Sequence, residues 1–90
     1  MNNNQILLNL HNPYWNRVTV EVRIGNANDC DQNPHHEMRE MIKDDTWSIT
    51  TVQGVDVCYR RDADPDQPDG RWTDWTRRAM LIGPYDDNIT

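Results

Sequence analysis

Phenylalanine is absent from this chain, so the large apolar surface of any core must come from four tryptophans and three tyrosines. Serine is nearly absent: Ser48 stands alone, inside a stretch of strand-like alternation. No Gly-x-Ser-x-Gly, Walker loop, Cys-x-x-Cys or His-Glu-x-x-His occurs. With none of these local signatures of catalysis or cofactor binding, the chain reads as non-enzymatic, with no catalytic residue, cofactor or metal ligand expected. No apolar run approaches the ~20 residues of a membrane-spanning helix. The opening MNNNQILLNLHNP has neither a basic n-region nor a long apolar h-region, so a cytoplasmic location and no membrane partner are expected.

A basic excess is lacking too. Nine Lys/Arg face 15 Asp/Glu, giving a net charge of −6 and a pI near 4.7. Most of the imbalance lies beyond residue 43. Such a surface repels phosphates and anionic lipid, which excludes direct nucleic-acid binding and suits a partner with a basic surface. Only two cysteines are present, Cys30 and Cys58. They allow one bridge, worth roughly 3 kcal/mol; reduced, buried thiols are the commoner state in a cytosolic protein, and composition leaves both open.

What is present points to strands. Ninety residues make one domain, 1–90, since so short a chain cannot build two cores. The clearest element is 17–25, where Val18, Val20, Val22 and Ile24 alternate with Thr19, Glu21 and Arg23, the period of a half-buried strand. Residues 6–10 form a short apolar run, expected as an edge strand because His11-Asn12-Pro13 ends it sharply. Tyr14 and Trp15 follow and are expected to cover one end of the core. Residues 46–52 carry Trp47 and Ile49 on one face. Gln53-Gly54 then predicts a hairpin with 55–61, in which Val55, Val57 and Tyr59 share a face and Cys58 points away. Residues 71–78 read as a strand by Trp/Thr content, 79–82 as its continuation or a last short strand, and 85–90 as a polar tail.

One segment competes between two states. Asn33-Pro34 resembles an N-cap followed by proline at the first helical position, and Met38, Met41 and Ile42 fall at helical spacing, which predicts a short helix over 34–43. The rival is a strand with Met38, Glu40 and Ile42 on one side. The fold class expected is therefore mainly β: a small antiparallel sandwich or barrel of five to six short strands, with that one short helix.

Chemistry-bearing residues concentrate in 55–78. Asp62, Asp64 and Asp66 are spaced as a Ca²⁺ loop begins, but Gln67 replaces the turn glycine and Thr73 the final glutamate, so a salt-bridged turn beside Arg60, Arg61 and Arg71 is expected. His35 and His36 are adjacent and diverge on any regular backbone, which disfavours a shared metal. Trp72 and Trp75 differ by an odd number, placing the indoles on opposite faces of a strand, one in the core and the other either exposed near Arg77 and Arg78 or packed under the preceding loop.

Three functions follow as expectations. The first is a protein-binding module whose patch comprises Asp62, Asp64, Asp66, Asp69, Arg60, Arg61, Trp72, Trp75 and Arg77. A sharper version is an inhibitor of the kind phages and mobile elements encode, docked on a basic nucleic-acid-binding protein with carboxylates in place of phosphates; Asp44, Asp45, Asp86 and Asp87 join the acidic set there. The second is a carbohydrate or small-ligand-binding sandwich using Tyr59, Trp72 or Trp75 as platform. The third is a structural subunit of a virion or other assembly, self-associating through edges at 6–10 and 79–82.

Overall fold

A computed structural model describes residues 5–67 and 69–89. The elements are β1 (Gln5–His11), β2 (Val18–Gly25), a 3₁₀ turn (Cys30–Gln32), β3 (His35–Met41), β4 (Thr46–Val52), β5 (Asp56–Arg61), β6 (Thr76–Ala79) and β7 (Tyr85–Asn88). They form two sheets, of order β4-β1-β7 and β3-β2-β5-β6. The protein is mainly β, as expected, with no α-helix among the described residues.

Period-two alternation builds the core. Ile6, Leu8 and Leu10 of β1 point inward with Trp47 and Ile49 of β4, in a register that sets Leu8 opposite Ile49 and Leu10 opposite Trp47. Val18, Val20 and Val22 of β2 and Val57 and Tyr59 of β5 supply the other inner face. Met41, Met80 and Ile89 close the cluster. Each such aliphatic side chain contributes roughly 1.5–3 kcal/mol on burial, an upper estimate since the unfolded chain already hides part of it.

Four expectations are corrected. Residues 34–43 are not helical: β3 pairs antiparallel along its full length with β2, from Val18 opposite Met41 to Ile24 opposite His35. The ladder outweighs the helical spacing of the methionines, and Met41, not Met38 or Ile42, is the buried member. Asn33 cannot cap a helix because its Oδ1 accepts from the Ala27 amide at 2.8 Å and its Nδ2 contacts Cys58 Sγ at 3.5 Å. Second, β4 and β5 are not a hairpin but lie in opposite sheets. At the turn the chain pairs with Met80 instead, through Gly54 N–H to Met80 O and Met80 N–H to Val55 O. Alternation says which face of a strand is buried, not which strand lies beside it.

Third, β1 is the centre of its sheet, not an edge, because the tail supplies a strand: β7 pairs parallel with β1. The carboxylates of that tail are consumed in the contact. Asp86 takes bonds from Asn9 and His11 at 3.2 and 3.1 Å. Asp87 accepts the Tyr59 hydroxyl at 2.9 Å and Arg78 at 2.5 Å, which joins the two sheets along one side. Fourth, the last strand of the larger sheet is only β6; before it, Trp72 makes an isolated bridge to Asp62.

Cys30 and Cys58 form a disulfide. Cys58 does point away from the valine face, yet it is fully buried, because the β2–β3 loop folds over the outer face of β5 and is bonded there.

Candidate functional site

The topology sorts the connections. The β1–β2, β3–β4 and β5–β6 loops gather at one end of the sandwich, here the loop end; β2–β3, β4–β5 and β6–β7 lie at the other. The three loops of the loop end carry Asp44, Asp45, Asp62, Asp64, Asp66, Asp69 and Asp74, against Arg17, Lys43 and Arg71. The opposite loops hold only Asp29 and Asp31.

Asn12 fixes the loop end. Its side chain is buried and donates to the carbonyls of Met41 at 2.9 Å, Ile42 at 3.1 Å and Asn16 at 3.2 Å, while its Oδ1 accepts the Tyr14 amide at 2.9 Å. Its backbone bonds the β3–β4 turn at both groups, through Asp45 O and the Asp44 amide. That turn places Asp44 at φ 66°, a left-handed conformation that Asp tolerates. One asparagine thus holds two loops together and positions Tyr14 against the core with Trp15 displayed outward and Asn16 beside it.

Those residues form one wall of an open cleft of about 310 Å³; Pro65 and Asp66 form the other. Asn16 Nδ2 donates to Asp66 across it. Trp15 is 82% exposed, which corrects the expectation that it covers the core; Tyr14 alone packs there. Lys43 Nζ sits 3.1 Å from the centroid of the Trp15 ring, and the Arg61 guanidinium lies 4.7 Å from that of Tyr14.

The sequence-selected residues do not form one patch. Asp62 is 8% exposed and accepts the Thr19 amide at 3.1 Å, a structural role. Asp64 caps the Asp66 amide within its own turn. Asp69 binds Arg71 through both the backbone amide and the guanidinium, which hold its carboxyl below the usual range. Asp66 stands in the cleft. Arg61 closes the loop end of the core, donating to Ile89 O at 2.8 Å, Asp62 O at 2.7 Å and the Tyr14 hydroxyl at 2.9 Å. Arg77 latches the β2–β3 loop by bonding the carbonyls of Ala27 and Asn28 and the carboxylate of Asp56.

Trp72 and Trp75 are not on opposite faces. Residues 72–75 lie outside any strand, and both indoles pack on the Arg60 guanidinium, with centroids 4.9 and 4.2 Å from its carbon. Trp75 also donates to Asp31 at 3.0 Å. Arg60 in turn donates to Glu21, a carboxylate 6% exposed on the outer face of β2, at 2.6 Å; His36 approaches the same carboxylate at 2.7 Å. This cluster locks the outer face, with Arg23 Nε, 3.7 Å from Glu21, left buried without a hydrogen bond. Tyr59 is likewise buried, and burial, then its bond to Asp87, drive its hydroxyl pKa well above the ordinary value.

Reading the residues in order had missed Asn12, Trp15 and Asn16 as site residues. Trp15 lies some fifty positions from Pro65 and Asp66, and the only sequence signal was an aromatic pair after a proline turn. Among the described residues no group of three or more His, Cys, Asp or Glu is arranged to hold a metal ion, and no helix is long and apolar enough to cross a membrane. No protein-family model matches the chain, and no curated protein or solved structure matches it.

Proposed function

We propose that the protein is a non-enzymatic binding module that docks its loop end on a basic surface of a protein partner. The observation that carries this reading is the segregation of charge: seven aspartates share three loops at one end of the sandwich, around an exposed tryptophan. Carboxylates so placed attract a basic partner and steer its approach, while the indole supplies the apolar anchor that tight interfaces need. In its sharper form the module inhibits a nucleic-acid-binding protein, its carboxylates standing where phosphates would. Asp86 and Asp87 leave that set, because β7 uses them internally.

The test compares wild type with Asp44→Asn/Asp64→Asn/Asp69→Asn, which spares the structural Asp62. The partner is isolated from the source cells, purified, and its Kd measured from low to high salt. Three surface charges, two exposed and one half-buried, at roughly 0.2–1 kcal/mol each imply about tenfold weaker binding for the variant at low salt, with a flatter salt dependence. Equal affinity of the two proteins at every salt concentration would remove the electrostatic basis of the reading. Self-association belongs to the same comparison: a dimer that persists in the variant assigns binding to another face.

A cytoplasmic location is the sequence-based part of this proposal. The Cys30–Cys58 bridge favours an oxidising compartment instead. Thiol labelling of protein taken directly from the source cells separates the two.

A further inference from the structure

We infer that the cleft between Trp15 and Pro65 receives a single basic side chain, lysine or arginine, projecting from the partner. This rests on the docking reading above and names the contact at its centre.

Trp15 takes no part in the core. It is 82% exposed on a loop end that Asn12 ties to the β3–β4 turn by hydrogen bonds, so the indole is displayed from an anchored loop. Both aromatic residues of the cleft already carry a cation: Lys43 over Trp15, from outside the cleft lining, and Arg61 over Tyr14. The π-faces here are used as cation acceptors by the chain itself. The lining contains no basic residue, and its carboxylate, Asp66, is held in place by Asn16. Aromatic walls with one fixed carboxylate, on a loop end that carries five other surface aspartates, complement an organic cation and repel an anion. At about 310 Å³ the cleft is at the small end of ligand pockets, which run from roughly 300 to 1,000 Å³. It is also open to solvent on one side. That suits one side chain entering as part of a wider interface and gives little enclosure to a free ligand.

The probes are capped Gly-Lys-Gly and Gly-Arg-Gly peptides, the Nε-acetyl-lysine version, tetramethylammonium chloride and glucose. Each is titrated into ¹⁵N-labelled full-length protein and read at the Trp15 indole N–H and the Asp66 amide. Saturable shifts with the two basic peptides are expected, and much smaller ones with the neutral acetylated peptide. Trp15→Ala should abolish the response at Asp66, and Asp66→Asn should weaken binding about three- to fivefold; spectral dispersion confirms that each variant is folded. Asp29→Asn, in the β2–β3 loop at the opposite end of the sandwich, should leave the peptide affinity unchanged. Unmoved Trp15 and Asp66 signals, or equal shifts from the acetylated peptide, would overturn the inference. Shifts from glucose or tetramethylammonium without shifts from the basic peptides would also overturn it, making the cleft a small-ligand site.

The partner separates the two levels of the reading. If Trp15→Ala leaves the partner's affinity intact while Asp44→Asn/Asp64→Asn/Asp69→Asn weakens it, the cleft inference fails alone. If the partner ignores the aspartate variant while the basic peptides still occupy the cleft, the docking reading fails instead.

Discussion

Replacing Arg60 by alanine should unlock the outer face of the larger sheet. Arg60 Nε donates to Glu21 at 2.6 Å, and the guanidinium packs on both Trp72 and Trp75. Removing it leaves the Glu21 carboxylate, 6% exposed, with His36 at 2.7 Å and Arg23 Nε at 3.7 Å, too far for a hydrogen bond. Breaking a buried pair costs about 3–5 kcal/mol; retained His36 and the 24% exposure of Arg60 reduce that to about 2–3 kcal/mol. Two lost cation–π contacts add about 0.5–1 kcal/mol each. The expected loss is therefore about 3–5 kcal/mol, a large share of the roughly 5–13 kcal/mol available to a domain of this size. Urea unfolding followed by circular dichroism measures it, free of the fluorescence change that moving two indoles would cause. The double variant Glu21→Leu/Arg60→Leu should recover much of the loss, since it removes both charges together. A loss under about 1 kcal/mol for Arg60→Ala, or no recovery in the double variant, would refute the reasoning.

Three further outcomes are expected. Cys30→Ser/Cys58→Ser releases a loop with a sequence separation of 28, for which chain entropy gives about 3.6 kcal/mol; a urea midpoint unchanged by reductant, with two titratable thiols in the native protein, would contradict the bridge. Asn12→Ala orphans the carbonyls it holds between two loops, so a loss of about 2–3 kcal/mol and broadened Trp15 resonances should appear together, and a loss without any change at Trp15 would deny its positioning role. Tyr59 keeps its proton to higher pH when folded than when unfolded, so the stability it contributes is complete below about pH 10 and is lost as pH rises through the folded value. Tyr85 shifts the other way, because its hydroxyl accepts the amides of Ile82 and Leu81. The readout is accordingly the difference between wild type and Tyr59→Phe in urea midpoint against pH: the wild type should decline more steeply above pH 10, and parallel curves would count against the assignment.

Local alternation made β1, β2, β4 and β5 legible, because burial of one face leaves a period-two mark on each strand separately. Partnership leaves no such mark. Gln53-Gly54 reads as a hairpin turn whether the next strand lies beside β4 or across the core from it. The 34–43 segment misled for the same reason: β3 is a sheet edge whose side chains are almost all exposed, so its sequence is free of the strand pattern and shows helical spacing by default. β7 reads as a tail because, apart from Arg78 nine positions away, the partners of its aspartates (Asn9, His11 and Tyr59) are distant in sequence. The chemistry-bearing residues of 55–78 read as a binding surface, but Arg60, Arg61, Arg77 and the two tryptophans make their contacts inside the fold. The cleft stayed hidden because its walls come from different loops, and because a buried asparagine, the residue that builds it, resembles any turn asparagine in the sequence.

The most direct test of the docking claim is amide hydrogen exchange of the protein alone and bound to its purified partner, since protection reports burial of backbone residue by residue. The account expects new protection in residues 12–17, 42–45 and at the loop end of the β5–β6 connection, with the β2–β3 and β6–β7 loops unchanged. Protection confined to the opposite end, or running along the exposed edge of β3, would contradict it and place the working surface elsewhere on the sandwich.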